Sequence, residues 1–263
     1  MTARDIGQLR LPPSVLDAIG QIRDRVSVHG LYDEVGSPIY HSWRDADPEI
    51  QTLVALLRPV RGPILELAAG SGRLTMALLS RRKVVTALDN SEHMLALLTD
   101  ELAKANSFIR ENCSVVHADM SDFALAKKFE AIVLNATSVT LLEPPERKTL
   151  YNSALKHLTP DGTFILNTSE ILPNTDRIRH FRIKSGDREH DLYQHYFEGG
   201  SHRTVTVVPA DLTAKKVEIL VSRVRVLSPE LLSEELVEAG FEVTVMKQWE
   251  DGHFRNTVLG ASI

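Results

Sequence analysis

From residue 63 onward the chain switches repeatedly between short apolar, β-branched runs and segments of helical periodicity, and this alternation restricts the fold more than any other feature. Pro63-Ile64-Leu65-Glu66-Leu67 reads as a strand, residues 72–80 as a short amphipathic helix, and Val84-Val85-Thr86-Ala87-Leu88, ending at Asp89, as a second strand. Ser91 caps the next helix, which carries Met94, Leu95, Leu98 and Leu102. Ser114-Val115-Val116-His117 and Ala131-Ile132-Val133-Leu134-Asn135 supply two further strands. Pro144-Pro145 opens a helix that stops before the turn Pro160-Asp161-Gly162, and Thr163-Phe164-Ile165-Leu166-Asn167 is the fifth strand. Strands joined by helices pair in parallel, so the expected class is α/β, a mostly parallel sheet with helices on both faces.

The alternation then stops. Residues 191–197, 203–208 and 217–226 look like successive strands with no helix between them, which parallel crossovers would require, so an antiparallel meander is expected. A last helix starts at Ser228-Pro229 and ends at Gly240, and strands over 242–246 and 256–260 close the sheet. Residues 1–60 read as helical: Pro12-Pro13 opens one segment, and Asp47-Pro48 opens another with Asp47 as its cap. The expected organisation is an N-terminal helical cap over 1–60, a core over 61–169 and 227–263, and an inserted β lid over 170–226.

A net charge of -5 argues against a general nucleic-acid or anionic-membrane binder. No apolar stretch approaches the ~20 residues of a membrane span, and the first residues lack a secretory apolar core. The expectation is a cytoplasmic enzyme. The single cysteine, Cys113, permits no internal disulfide and reads as a structural thiol. The ten histidines show no paired ligand spacing, so no metal is expected. His190 and His195 could meet on one strand, with solvated side chains the weightier reading.

The chemistry-bearing stretch is Leu65-Glu66-Leu67-Ala68-Ala69-Gly70-Ser71-Gly72-Arg73-Leu74-Thr75, a strand running through a glycine turn into a helix. Small residues there let a ligand lie against bare backbone, at the carboxyl ends of parallel strands where ligands bind. A tight turn without a ligand would look similar. Asp89 at the end of the second strand can hold both ribose hydroxyls, and Asp119 at the end of the third can accept from an adenine amine. Together these describe an adenosine site. Gly70-x-Gly72-x-x-Thr75 also approaches the nicotinamide-dinucleotide fingerprint, with Thr75 in place of a third glycine. Glu66 inside the first strand, Asp119, and the closing antiparallel pair weigh against that alternative.

Glu66-Leu67-Ala68-Ala69-Gly70-Ser71-Gly72, Asp89, His117-Ala118-Asp119-Met120-Ser121-Asp122-Phe123 and Leu158-Thr159-Pro160-Asp161-Gly162 resemble the ordered motifs of the class I S-adenosylmethionine-dependent methyltransferases. Residues 227–243 resemble the helix–strand ending of that family, and the likeness covers roughly 45–263. It implies a Rossmann-like seven-stranded sheet with an antiparallel C-terminal strand, and S-adenosyl-L-methionine as cofactor. It further implies that Ala68, Gly70 and Gly72 back the methionine moiety, with Asp89 at the ribose, Asp119 and Met120 at the adenine, and Met94 packing beside them. Glu66, Asn90 and Asn135 complete the expected lining. Ala68 stands where the family motif has its first glycine, which narrows the turn.

A second resemblance concerns the acceptor. Leu134-Asn135-Ala136-Thr137-Ser138-Val139-Thr140-Leu141-Leu142, Tyr32-Asp33 and the meander are similar to methyltransferases of natural-product pathways, including sugar N-methyltransferases and the enzymes that dimethylate the terminal amine of daptide-type ribosomal peptides. The expected acceptor is a small molecule or peptide, with an amine nitrogen ahead of an oxygen. The rival classes are a NAD-dependent oxidoreductase and a cofactor-binding protein without catalysis. Tyr193, His195 and Phe197 share one strand face by alternation, and form either a substrate wall or the lid's own core. Tyr193 and His195 are the candidate acceptor-side residues. Tyr32 and Tyr40 are expected over the cofactor, or else in aromatic packing. Arg177-Ile178-Arg179-His180-Phe181-Arg182-Ile183-Lys184 reads as a solvated basic face, with an anchor for an acidic or phosphorylated group as the alternative.

Overall fold

The computed structural model describes residues 13–42, 48–172, 177–196, 202–252 and 254–263. The chain divides into two units, Met1–Asp45 with Asn174–Val226, and Ala46–Pro173 with Leu227–Ile263. The elements in chain order are α1 (Pro13–Gly20), β1 (Val26–His29), α2 (Gly36–Ser42), α3 (Pro48–Leu56), β2 (Ile64–Leu67), α4 (Arg73–Leu79), β3 (Val85–Asp89), α5 (Glu92–Lys104), α6 (Ser107–Glu111), β4 (Cys113–His117), β5 (Phe129–Leu134), α7 (Pro144–His157) and β6 (Leu158–Ile171). They continue with β7 (Ile178–Ser185), β8 (Arg188–Tyr196), β9 (His202–Pro209), β10 (Val217–Arg225), α8 (Pro229–Glu238), β11 (Glu242–Asp251) and β12 (Phe254–Ser262). No helix among the described residues is long and apolar enough to cross a membrane.

The larger unit holds the seven-stranded sheet, in the order β11-β12-β6-β5-β2-β3-β4. The strands β6, β5, β2, β3 and β4 pair in parallel, and β12 is antiparallel to both of its neighbours, which gives the expected Rossmann-like topology. The central strands are apolar throughout because helices cover both faces: every residue of β2 and β3 is buried. Leu65, Leu67, Ile132 and Leu134 face the side of α7 and α8, while Ile64, Val85, Ala131 and Val133 face that of α3, α4 and α5. Ser91 caps α5 by accepting from the Met94 N–H. Pro160-Asp161-Gly162 lies inside β6, which begins at Leu158 and shifts register against β5 between Phe129 and Ala131. Cys113, on β4, is half-buried beside the α5 side of the core, and burial pushes its thiol up to about 11.

The smaller unit holds a five-stranded sheet, β1-β10-β9-β8-β7. The meander expected over β8, β9 and β10 is antiparallel. Two features depart from the sequence reading. The basic run at 177–184 forms β7, paired antiparallel to β8, because its alternation puts Ile183 into a core with Leu192, Val205, Val207 and Leu220. The N-terminal region is not all helical: Val26-Ser27-Val28-His29 is β1, parallel to β10, with both valines buried. Its two-residue period spans only four residues, too few to separate it from a helical background by pattern alone. α1 packs on the same face of the sheet through Val15 and Ile19. Asp47 and Phe197 lie outside the described residues.

Candidate functional site

The turn after β2 is built for close approach. Ala68, Gly70 and Gly72 all have left-handed backbone, with φ of 50°, 56° and 85°. Nothing stands within 4 Å of a Cβ built on Gly70, so its face is open. A Cβ on Gly72 would run into Leu98 Cδ1 of α5, so that glycine lets α4 pack beside α5. Left-handed Ala68 is a non-glycine outlier costing about 1 kcal/mol, a strain of the kind that clusters at ligand sites.

Asp89 ends β3 next to this turn. Its Oδ2 accepts the Gly70 N–H at 2.7 Å and its Oδ1 accepts the Ser91 N–H at 2.8 Å, so the carboxylate fastens the glycine turn to the start of α5. Burial raises its pKa, against the opposing hydrogen bonds from Ser91, Gly70 and Asn90 and the nearby His117. The three backbone N–H groups leave part of the carboxylate's four lone-pair directions open to a ribose hydroxyl. Asn90 is exposed, with His117 Nε2 3.0 Å from its carbonyl oxygen. Asp119 is exposed after β4, and its Oδ1 accepts the Ser121 N–H at 2.7 Å. Met94 and Met120 are buried.

Glu66 behaves differently from Asp89. It sits within β2, 1% exposed, and accepts the Thr75 hydroxyl of α4 at 2.6 Å. Burial pushes its pKa up to about 8, with the Thr75 bond opposing and Asp89 adding to the rise. At neutral pH it is mostly a neutral acid, so the negative charge at this edge belongs to Asp89 and Asp119. Asn135 follows β5, buried, and opens a second strained turn in which Ala136 and Thr137 have φ of 56° and 53°. The Ala136 N–H donates to Glu49 Oε1 of α3 at 2.7 Å and to Asn135 Oδ1 at 2.6 Å, and the Thr137 N–H donates to Asn167 Oδ1 of β6 at 3.1 Å.

The fold thus brings Glu66, Ala68, Gly70, Gly72, Asp89, Asn90, Asp119, Met120 and Asn135 to the carboxyl edge of one sheet, with Met94 beneath them. The buried Ser71 hydroxyl, in the same turn, has no hydrogen-bond partner among the described residues. A bare left-handed turn, an orphaned hydroxyl and a carboxylate at the adjacent strand end fit an adenosine-bearing cofactor. In the sequence Thr75 stands out only as the residue in place of a third glycine, not as a partner of Glu66, and neither Glu49 nor Asn167 is a site candidate there. Thr75 meets Glu66 where β2 passes through the turn into α4, whereas Glu49 and Asn167 reach the 135–137 turn from distant segments and leave no local signal.

The acceptor-side candidates lie in the smaller unit. Tyr193 and His195 alternate on one face of β8. Tyr193 stacks on His180 of β7, rings 4.7 Å apart and 11° from parallel, and His180 Nε2 lies 2.7 Å from Asp191 Oδ1. Burial lowers the pKa of His195 and, with Asp191 adding, raises that of Tyr193, so both are neutral at pH 7. Tyr32 and Tyr40 meet edge-on at 5.3 Å and pack with Leu31, Ile183 and Leu192 on the opposite face of the same sheet. The structure therefore separates Tyr32 and Tyr40 from Tyr193 and His195, because α1 and α2 cover different faces. His190 is buried on the Leu192 side, so it does not meet His195: five residues apart on a strand, they point to opposite faces. Among the described residues no group of three histidine, cysteine, aspartate or glutamate side chains is placed to hold a metal. The basic run is tied to its neighbour strand, with Arg182 Nε 2.7 Å from Asp191 Oδ1.

Residues 64–162 match the family described as methyltransferase domain. No curated protein sequence matches the chain. The glycopeptide N-methyltransferase MtfA in complex with (S)-adenosyl-L-methionine superposes with a TM-score of 0.67 at 28% identity, covering 96% of this chain and 98% of that one. Its complex with sinefungin gives 0.68 at 29%, with the same coverage. The CcbJ methyltransferase of Streptomyces caelestis, 17% identical, gives 0.72 over 89% of this chain and 99% of its own, a likeness of fold.

Proposed function

We propose that this chain, an S-adenosylmethionine-dependent methyltransferase, transfers the methyl group to an amine nitrogen of a small-molecule or peptide acceptor in natural-product biosynthesis. The observation that carries this reading is the similarity to a glycopeptide N-methyltransferase along nearly the whole of both chains, the smaller unit included. Gly70 and Gly72 back the methionine end, Asp89 takes the ribose hydroxyls, and Asp119 with Met120 takes the adenine.

When bound, the cofactor supplies an electrophilic methyl group for in-line displacement, and positioning provides most of the acceleration. An acceptor amine must arrive with its lone pair free. A carboxylate beside it would hold it protonated, whereas neutral groups do not. His195 and Tyr193 are both neutral at pH 7 and are assigned to the acceptor, with His195 accepting its proton. The insertion carrying them leaves the larger unit from β6, whose end lies on the carboxyl edge because β6 runs parallel to β5.

The test is incubation with the methyl donor and a panel of amino sugars, peptide amines and glycopeptides, followed by mass spectrometry and NMR of the product. One or two methyl increments on nitrogen support the reading, and methylation on oxygen overturns it. His195→Ala should lower kcat by about 10²-fold or more while adenosylhomocysteine affinity stays nearly constant. Full activity in that variant removes His195 from the mechanism.

A further inference from the structure

The amino edge of the seven-stranded sheet, at the other end of β2 and β3 from the Gly70 turn, opens into a cleft of about 650 Å³. Five cations line it: Arg58 and Arg61 from the link between α3 and β2, and Arg81, Arg82 and Lys83 from the link between α4 and β3. This is a concentration of positive charge in a chain whose net charge is -5.

Part of the cluster has a structural purpose. Arg81 Nη1 donates to the Ala77 carbonyl at 2.9 Å, and Lys83 Nζ donates to the carbonyls of Arg58 at 2.9 Å and Val60 at 2.5 Å, so both satisfy helix or link ends. That account does not extend to Arg58, Arg61 and Arg82. The nearby Glu130 carboxylate is occupied by the backbone N–H groups of Arg61 and Gly62. Among the described residues no ion pair engages any of the five cations. Arg82 holds left-handed backbone, φ 62°, where glycine or asparagine costs less. Its guanidinium lies 5.7 Å from the Phe108 ring centre and borders a second cleft lined by Asn106, Ser107 and Phe108. Burial, and after it the neighbouring Arg61, hold the Lys83 ammonium below its usual range, against the opposing Glu130 carboxylate.

We propose that this cleft binds a small oligophosphate anion, at a site separate from the cofactor crevice. Guanidinium forks match phosphate oxygens two at a time, and the volume is that of a small-molecule site. A concave cluster fed by two short links suits a compact polyanion better than an extended acidic peptide, which needs a strip of cations.

The experiment is calorimetric titration of inorganic triphosphate into the full chain saturated with adenosylhomocysteine, so that the cofactor crevice is filled. Saturable binding to one site is expected, weakening as salt rises. Arg58→Gln with Arg61→Gln should weaken it at least about tenfold, as should Arg82→Gly, which relieves the backbone strain and so keeps the fold. Lys215→Gln with Lys216→Gln, an equal loss of charge in the smaller unit, should change it by less than about twofold. The proposal is overturned by the absence of saturable heat, by equal losses in the cleft and control variants, or by a hexaglutamate peptide that binds more tightly than triphosphate.

Discussion

At the carboxyl edge of the larger sheet the connections after β2 and β5 bend into left-handed backbone, and the strand ends carry Asp89 and Asp119. At the amino edge the connections before β2 and β3 carry Arg58, Arg61, Arg81, Arg82 and Lys83. The same parallel strands serve both edges, so the difference comes from the helices. In each strand–helix unit the helix starts at the carboxyl edge and finishes at the amino edge. Its positive pole therefore faces the acids and its negative pole faces the cations. Burial adds a second distinction within the carboxyl edge itself. Asp89 at the strand end is supplied with backbone N–H groups, whereas Glu66, deeper in β2, has only the Thr75 hydroxyl and keeps its proton.

The largest effect that tests this contrast is a pH dependence from Glu66. Its folded pKa of about 8 lies above the ordinary 4.5. The folded state therefore holds a proton that the unfolded chain has released through that window. The stabilisation is complete below 4.5 and is lost as pH rises through 8, by about 5 kcal/mol at most. Glu66→Gln should flatten the fall in denaturation midpoint between pH 5 and 8, and identical slopes in variant and wild type break the assignment. Next in size is the cofactor. Asp89→Ala should cost more adenosylhomocysteine affinity than Asp119→Ala, since each charged hydrogen bond contributes roughly 1.5–3 kcal/mol and Asp89 is assigned two. Calorimetry on folded variants decides, and equal losses contradict the roles. The smallest effect separates the two glycines. Gly72→Ala should destabilise the fold by about 1–3 kcal/mol through its collision with Leu98. Gly70→Ala meets no neighbour and should cost only about 1 kcal/mol of stability, its damage appearing in cofactor affinity instead. Thermal melts with and without ligand resolve the pair.

What could be read from the residues follows the range of the signal. β2, β3 and β5 were legible as short continuous apolar runs and their helices by a local period, and the glycine turn with Asp89 because strand order alone makes them neighbours. β7 was hidden by charge: its arginines and lysine obscured an alternation that only Ile183 buries deeply. β1 was too short to declare itself. The turn at Ala136 and Thr137 has no glycine to announce its left-handed backbone, and its supports, Glu49 and Asn167, come from α3 and β6. Likewise, nothing in the spacing of Tyr32, Tyr40, Tyr193 and His195 tells which face of a sheet each pair occupies. That depends on which helix covers which side.

The parallel pairing of β1 with β10 joins Val26 to Val217, near opposite ends of the chain. As the polypeptide leaves the ribosome, β2 meets β3 after one short helix, but β1 has no partner until the core strands through β6 and the whole meander have emerged. Closing so long a loop is slow relative to the local steps before it. The smaller sheet is therefore completed late, and its first-made strand must wait, an unsatisfied edge, for its last.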